Sequence, residues 1–160
     1  MAAERATRDQ FAIFLPLATR WMDNDVYGHV NNVQYYSFFD TAVNHDLIKT
    51  GWLDIHNGDT VGLVVETRCT DHASVAFPDM LEIGLRVDRI GNSSVKYVLG
   101  IFREGETFAA AEGYFVHVYV ERASNRPVKL PEPLRAVLEP LLVPALECST
   151  PPSNGQTAGA

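Results

Sequence analysis

The sequence has 160 residues, of which 46% are hydrophobic, and its 20 acidic and 13 basic side chains give a formal net charge of -7. A chain of this length and composition predicts one globular domain with one core. The negative charge argues against general binding to nucleic acid, because it opposes the approach of a polyanion.

The N-terminus is charged, and we expect residues 1–10 to be flexible. The apolar run that follows, Phe11 to Leu15, is stopped by Pro16 and is too short for a signal peptide or a membrane span. The two cysteines, Cys69 and Cys148, show no pairing motif and are typical of a reduced setting. The sequence therefore predicts a cytoplasmic protein that makes no membrane contact.

The first predicted elements are a strand and a long helix. The strand covers residues 11–20, and its central proline favours the edge of a sheet or a bulge. The helix covers residues 33–50, because apolar side chains recur at steps of three and four and Gly51 can end it. The recurring positions are Tyr36, Phe39, Val43 and Leu47. The second face is also apolar, so we expect this helix to be buried on most sides.

Apolar, β-branched or alternating residues predict four further strands. They lie at residues 60–70, 80–90, 95–101 and 107–121. Short turns join the last three, which therefore form an antiparallel meander. A short helix is expected near residues 134–142, and the composition of residues 144–160 predicts a disordered tail.

These elements predict the fold class. A sheet that has only one long helix to cover one face must curl around it. We therefore predict an α+β fold, an antiparallel sheet curled around one long central helix, as a single domain over residues 11–143. Such a sheet leaves strand edges that pairing with another copy could cover.

The stretch DNDVYGHVNN, residues 23–32, places carboxylates just before the predicted helix. The unpaired amides of a helix N-terminus carry partial positive charge and can hold a carbonyl oxygen or an oxyanion. Asp25 could then act as a nucleophile or as a general base on water, which suffices for acyl transfer to water. The alternative is that Asp23 and Asp25 only cap the helix or form a turn.

The neighbours of Asp25 have structural and functional interpretations as well. Gly28 can supply a bend that admits a substrate, and Asn31 or Asn32 can cap the helix and so fix its amides. His29 is either a hydrogen-bonding residue or a base, and the sequence leaves this open.

Other kinds of chemistry find little support. The five histidines show no metal-ligand spacing, and the sequence contains no Cys-x-x-Cys and no Gly-rich phosphate loop. We therefore expect neither a metal nor a cofactor. Two groups of basic residues could hold phosphates or merely solvate the surface. They are Arg86, Arg89 and Lys96 around one turn, and Arg122, Arg126 and Lys129 after the last strand.

The string R-W-x-D-x-D-x-x-G-H-V-N-N-x-x-Y-x-x-x-F-D, Arg20 to Asp40, resembles the opening signature of a known family. It is similar to the hotdog-fold acyl-CoA thioesterases of the 4-hydroxybenzoyl-CoA thioesterase type. The resemblance continues through Pro78-Asp79 and residues 86–94 and spans roughly residues 11 to 135.

The resemblance implies a hotdog fold and hydrolysis of an acyl-CoA thioester. It implies that Asp25 is the catalytic carboxylate, with His29 as a supporting residue. The amides of residues 31–33 would polarise the thioester carbonyl. The implied substrate-binding residues are Gly28, Asn31, Asn32, Val33 and Tyr36, with Arg89, Lys96 and Arg122 for the phosphates of CoA. Members of this family are dimers or tetramers with sites between subunits, so we expect a homodimer or homotetramer.

Two other functions stay open on the sequence alone. Hydration of an enoyl-CoA would use Asp25 and His29 together, although the D-x-N-P-x-H pattern of that family is not found. A hotdog domain could also bind an acyl-CoA without turnover, although the sequence shows no DNA-binding segment for a regulator.

Overall fold

The computed structural model describes residues 4–143. Five antiparallel strands form one sheet, and two α-helices accompany it. In chain order the elements are β1 Ile13–Ala18, α1 Asn32–Lys49, β2 Thr60–Asp71, β3 Met80–Ile90, β4 Ser94–Arg103, β5 Ala111–Glu121 and α2 Glu132–Leu138. The strand order is β1-β3-β4-β5-β2, so β3, β4 and β5 form the predicted meander. The expected tail, residues 144–160, lies outside the described residues.

The long helix α1 packs on one face of the sheet and forms the centre of the core. Phe39 and Val43 are fully buried, with exposed fractions of 0%. The alternating side chains of β3 and β4 meet them from the sheet. These are Leu81, Ile83, Leu85 and Val87 on β3, and Val95, Tyr97, Leu99 and Ile101 on β4. Each large apolar side chain buried in this way contributes about 1.5–3 kcal/mol, so this packing fixes the position of α1.

The ends of α1 follow the sequence closely. Asn31 is its N-cap, and the helix runs for 18 residues to Lys49. Gly51 follows the helix with a φ of 80°, a left-handed conformation that favours glycine, and its amide donates to the Ile48 carbonyl. The prediction that Gly51 ends the helix is therefore confirmed.

The strand bounds differ from the prediction at the start of β5. Residues 107–110 are not part of the strand, which begins at Ala111. Phe108 forms an isolated bridge with Thr7, and the Ala109 amide donates to the Ala6 carbonyl at 2.9 Å. This part of the chain therefore pairs with the N-terminal segment before it enters the sheet.

The N-terminal segment lies against the outer face of the sheet. Ala6 is buried, and its amide donates to the Glu112 carboxylate at 2.9 Å. The Arg5 guanidinium donates to the Ala109 carbonyl at 2.9 Å. Residues 4–10 are thus bonded to residues far along the chain, which the local composition cannot indicate.

Phe11 extends this contact across the sheet. It lies over the cross-strand pair of Gly84 on β3 and Gly100 on β4. A Cβ atom at either glycine would come within 2.7 Å of the Phe11 ring. The two glycines therefore leave the space that this ring occupies, which explains their place inside two buried strands.

The helices in the described part of the chain are all too short or too polar to cross a bilayer.

Candidate active site

The loop between β1 and α1 is held by the first carboxylate of the D-x-D motif. The Asp23 side chain is fully buried and accepts hydrogen bonds from the Arg20 amide at 2.7 Å and the Arg20 guanidinium at 2.8 Å. The Asp23 carbonyl accepts from the Asn31 amide at 2.9 Å, which ties the loop to the N-cap of α1. Asp23 therefore has a structural role.

We expect Asp23→Ala to lower the free energy of unfolding by about 2 kcal/mol, because a buried hydrogen bond to a charged acceptor contributes about 1.5–3 kcal/mol. Urea denaturation followed by circular dichroism measures this loss. Asp23→Asn keeps an acceptor oxygen and is the control, with a smaller loss expected. A loss that is equal in both variants would contradict a role through the accepted hydrogen bonds.

Asp25, the second carboxylate, lies in a tight turn and is half-buried. Its side chain accepts from the Tyr27 amide at 2.8 Å, and its amide donates to the His29 carbonyl at 2.9 Å. Gly28 has a φ of 79°, and a Cβ atom there would meet nothing within 4 Å. Glycine is therefore favoured at this position by the backbone conformation and not by lack of space.

The N-terminus of α1 leaves one amide without a partner. The Asn31 side chain accepts from the Val33 amide at 3.0 Å, and the Asn31 amide donates to Asp23. Within residues 4–143 the amide of Asn32 has no acceptor. Of the three amides that the sequence singled out, Asn32 alone is free to bind a ligand oxygen.

Asp25 and the start of α1 line one wall of a cleft of about 390 Å³. Asp25, His29, Asn32 and Tyr35 lie on this side. The opposite wall is residues 71–74, from the last residue of β2 onward. The structure therefore brings a carboxylate, an imidazole and an unpartnered helix amide to one opening, which is a set of groups suited to carbonyl chemistry.

Sequence reasoning missed the second wall of this cleft. Asp71, His72 and Ser74 line it, and the Nε2 atom of His72 lies 3.1 Å from the Glu112 carboxylate on β5. Glu112 is directly across from Thr70 in the β2–β5 pairing. The clustering of Asp71, His72 and Ser74 in the sequence was the only available signal, because their contact with the Asp25 side depends on tertiary structure.

Burial determines the protonation states of two side chains near the cleft, Cys69 and Tyr35. Burial, with the nearby Asp71 as a second cause, raises the pKa of the Cys69 thiol to about 12. Cys69 is therefore a neutral thiol at physiological pH and a poor nucleophile. Burial also raises the pKa of the Tyr35 hydroxyl, which stays protonated in the same range. Among the described residues, no three potential metal ligands come together.

The other predicted substrate-binding residues lie away from this cleft. Tyr36 is half-buried, and its ring packs edge-on against Phe39 at 6.5 Å. Lys96 lies on the outer face of the sheet, with Nζ 4.4 Å from the centre of the Tyr114 ring. Arg89 is the partner of Lys96 across β3 and β4. The structure does not bring these three residues to the cleft of their own chain.

Arg122 lies at the opposite end of the sheet. Its guanidinium donates to the Ile55 carbonyl at 3.0 Å. Ala111, at the other end of β5, pairs with Asp71 of the cleft wall. At a rise of about 3.3 Å per residue, the length of β5 separates Arg122 from this cleft by more than about 30 Å. Arg122 therefore cannot reach a ligand in the cleft of its own chain.

The sequence model of the thioesterase-like superfamily matches residues 19–138, which include both walls of the cleft. This chain belongs to the thioesterase-like superfamily. The PA5185 protein of Pseudomonas aeruginosa strain PAO1 is 57% identical, with a TM-score of 0.85 over 87% of this chain and 97% of its own. The YsmA protein of Bacillus subtilis strain 168 is 27% identical over 122 residues, 76% of this chain and 81% of that protein.

A more distant structure shares the fold. Slr0204, a 1,4-dihydroxy-2-naphthoyl-CoA thioesterase from Synechocystis, is 18% identical, with a TM-score of 0.72 over 78% of this chain and 93% of its own. The predicted α+β fold of hotdog type is thus confirmed for this thioesterase-like chain. Its family confirms the predicted class of enzyme, a thioester hydrolase, and supports an acyl-CoA thioester as the substrate.

Proposed function

We propose that this thioesterase hydrolyses its acyl-CoA substrate in the cleft at the start of α1, with Asp25 and the Asn32 amide as the central groups. One observation carries the proposal: a half-buried carboxylate and the unpartnered first amide of a long helix line the same opening. The carboxylate can act as a general base or a nucleophile, and the amide can donate a hydrogen bond to the carbonyl oxygen of the thioester.

The proposed reaction begins with the thioester carbonyl oxygen at the Asn32 amide. The partial positive charge of the helix N-terminus favours the negative charge that develops on this oxygen. Asp25 removes a proton from water as the water attacks the carbonyl carbon, or attacks that carbon itself and is released by water in a second step. In either case the carbon–sulfur bond breaks, the sulfur leaves as the thiol of CoA, and the acyl group leaves as a free acid.

His29 is proposed as a supporting residue. It lines the cleft with Asp25, and its carbonyl accepts from the Asp25 amide. An imidazole at this position can orient the attacking water or return a proton to the leaving sulfur.

A panel assay tests the proposal directly. We expect the purified protein to release free thiol from at least one of a set of short, medium, long and aromatic acyl-CoAs. An enoyl-CoA belongs in the same panel, because formation of a 3-hydroxyacyl-CoA without free thiol would point to a hydratase. Tight binding of acyl-CoA with no turnover of any thioester would instead point to a carrier or sensor.

We further propose that the enzyme works as a homodimer or homotetramer in the cytoplasm, with β2 as the edge that pairs. β2 is the terminal strand of the sheet and is 12 residues long. Leu63, Val64 and Val65 on it have exposed fractions of 43%, 48% and 61%. A long apolar edge of this kind is suited to pairing with another chain.

Pairing of two β2 edges would also give Arg122 a role in substrate binding. If two β2 edges pair antiparallel, the start of one strand lies beside the end of the other. Because Arg122 lies beside the start of β2, the Arg122 of a second copy would approach this chain's cleft. An arginine there could hold a phosphate group of CoA.

We expect Val65→Lys to weaken self-association by at least about tenfold, because a lysine on an exposed edge opposes pairing of strands. Sedimentation velocity across a concentration series measures this change. Met80→Lys, at a residue with an exposed fraction of 44% on β3, is the control and should keep the assembly of the unmodified chain. Equal effects of the two substitutions would argue against β2 as the pairing edge.

A further inference from the structure

A second, smaller cavity lies between the later part of α1 and the start of β2. Its volume is about 70 Å³. Its lining is mixed: Asp40, Asn44, His117 and Tyr119 are polar or amphipathic, and Leu47, Trp52, Leu53, Gly62 and Val64 complete it. A cavity of this size and polarity can hold a small polar group but not an entire long acyl chain.

His117 is the unusual member of this lining. Its exposed fraction is 4%, and its Nε2 atom is buried without a hydrogen-bond partner among residues 4–143. Its ring lies 5.0 Å from that of Tyr97 and 5.9 Å from that of Phe115, which hold it from two sides. The hydroxyls of Tyr97 and Tyr119 bond to each other at 2.7 Å. Buried polar atoms are rarely left unpaired in this way.

The charge state of His117 limits what it can bind. Burial lowers the pKa of His117 to about 4, although the nearby carboxylate of Asp40 acts in the opposite direction. The imidazole is therefore neutral at physiological pH, with one nitrogen that donates and one that accepts. A hydroxyl group can satisfy either nitrogen. An anionic group is disfavoured, since the ring has no charge to offer and Asp40 would repel it.

Glycine at position 62 leaves room beside the imidazole. A Cβ atom there would lie 3.1 Å from the Nδ1 atom of His117 and 3.1 Å from the ring of Tyr119. Any other side chain at this position would press against both rings. The absence of a side chain at Gly62 therefore leaves space beside the Nδ1 atom of His117.

The inner side of β2 runs between this cavity and the cleft of Asp25. The residues of β2 that share the helix-facing side of the sheet run from Gly62 in the cavity to Asp71 in the cleft. Thr67 and Cys69 lie between them. All of these are exposed except Cys69, which is half-buried, so α1 does not cover this side of the strand. We call this space the α1–β2 groove.

The length of the groove can be measured along α1. Asp40 and Asn44 of the cavity follow Asn32 of the cleft by eight and twelve residues. At a rise of about 1.5 Å per residue, the cavity is about 12 to 18 Å from the amide proposed to hold the thioester. An extended chain of about ten to fifteen bonds spans this distance, since three backbone bonds cover about 3.5 Å.

We propose that the His117 cavity is an acyl subsite, which binds a neutral hydrogen-bonding group such as a hydroxyl at the far end of a medium-length acyl chain lying in the α1–β2 groove. This deepens the proposed function and rests on the thioester being held at Asn32. The Nδ1 atom, which faces Gly62 in the cavity lining, supplies the selectivity. A chain that ends in a methyl group covers this nitrogen without a hydrogen bond, whereas a hydroxyl provides one.

A matched pair of substrates tests the subsite, namely ω-hydroxydodecanoyl-CoA and dodecanoyl-CoA. We expect the unmodified enzyme to favour the hydroxylated thioester in kcat/KM by at least about tenfold, as expected of sites that hydrogen-bond a substrate hydroxyl. His117→Phe should bring this ratio close to one without abolishing turnover of dodecanoyl-CoA. Val118→Ala, on the outer side of the same strand, is the control and should keep the ratio.

Gly62→Ala is a second variant that leaves His117 in place. Its methyl group narrows the cavity beside the imidazole, so we expect the preference for the hydroxylated substrate to fall here as well. A ratio near one in the unmodified enzyme, or a preference that His117→Phe leaves unchanged, would overturn the proposal.

A binding measurement separates this proposal from the proposed function. If the unmodified protein hydrolyses neither thioester, the imidazole ¹⁵N resonances of His117 still report on the cavity. A shift on addition of ω-hydroxydodecanoate, but not of dodecanoate, would support the subsite. Absence of a shift with both acids would reject the subsite, whatever the fate of the thioesterase assignment.

Discussion

Asp25→Asn is expected to lower kcat for acyl-CoA hydrolysis by about a hundredfold to ten-thousandfold, the range typical of a lost general base. Asparagine has nearly the same shape and keeps an oxygen that can accept from the Tyr27 amide at 2.8 Å. It cannot remove a proton from water or attack a thioester. KM should change little, because the groups proposed to hold the substrate are untouched. Initial rates of thiol release, measured at several substrate concentrations, separate the two constants.

A control variant and a stability measurement make this result specific. Glu139→Gln removes an exposed carboxylate just after α2, outside the cleft, and should keep the rate of the unmodified enzyme. The thermal midpoint of Asp25→Asn should also match that of the unmodified chain, which excludes a loss of fold. If Asp25→Asn kept near-normal kcat, the catalytic carboxylate would have to lie elsewhere, and Asp71 on the other wall of the cleft would be tested next.

Gly113→Ala is expected to lower the free energy of unfolding by more than about 3 kcal/mol, beyond the usual range for an overpacked core. A Cβ atom at this position would lie 2.0 Å from the Arg68 carbonyl oxygen and 2.9 Å from the Phe39 ring. The ring could turn aside, but the carbonyl belongs to the paired backbone of β2. The two strands would therefore have to separate at the point where Gly113 faces Cys69.

Urea denaturation of Gly113→Ala, followed by circular dichroism, measures this loss, and recovery of insoluble protein only would agree with it. Gly62→Ala is a graded control in the same strand pair, because its methyl group meets side-chain atoms at 3.1 Å instead of backbone. We expect Gly62→Ala to stay folded with a smaller loss. Similar losses in the two variants would show that the backbone clash at Gly113 is relieved by a local shift.

The fold was largely predictable because its elements have strong local patterns. The alternation in β3 matched its burial, with Leu81, Ile83 and Leu85 inside. The helix α1 was also clear, since its apolar positions and its cap both lie in one continuous stretch. The N-terminal segment was not predictable, because Ala6 is held by residues of β5 and its approach that lie about a hundred positions later.

The candidate site was predictable on one side only. Asp25 and Asn32 share a short stretch, so the sequence could suggest that a carboxylate lies near a helix N-terminus. The sequence could not tell that Asp23 is fully buried while Asp25 reaches the cleft. Alternation along β4 put Lys96 opposite the apolar face, but the sequence could not tell how far it lies from the cleft, since that depends on the register of β4 against its neighbours. Local patterns thus indicated the chemistry, and strand pairing decided which residues could share in it.

The hydrogen bond from the Ala6 amide to Glu112 has a practical consequence for work with this enzyme. Glu112 also holds His72, so the first described residues support one wall of the cleft through a single carboxylate. An affinity tag joined at the N-terminus, or removal of the residues before Phe11, would disturb this support and could be mistaken for weak activity. Assays should therefore use protein tagged at the C-terminus.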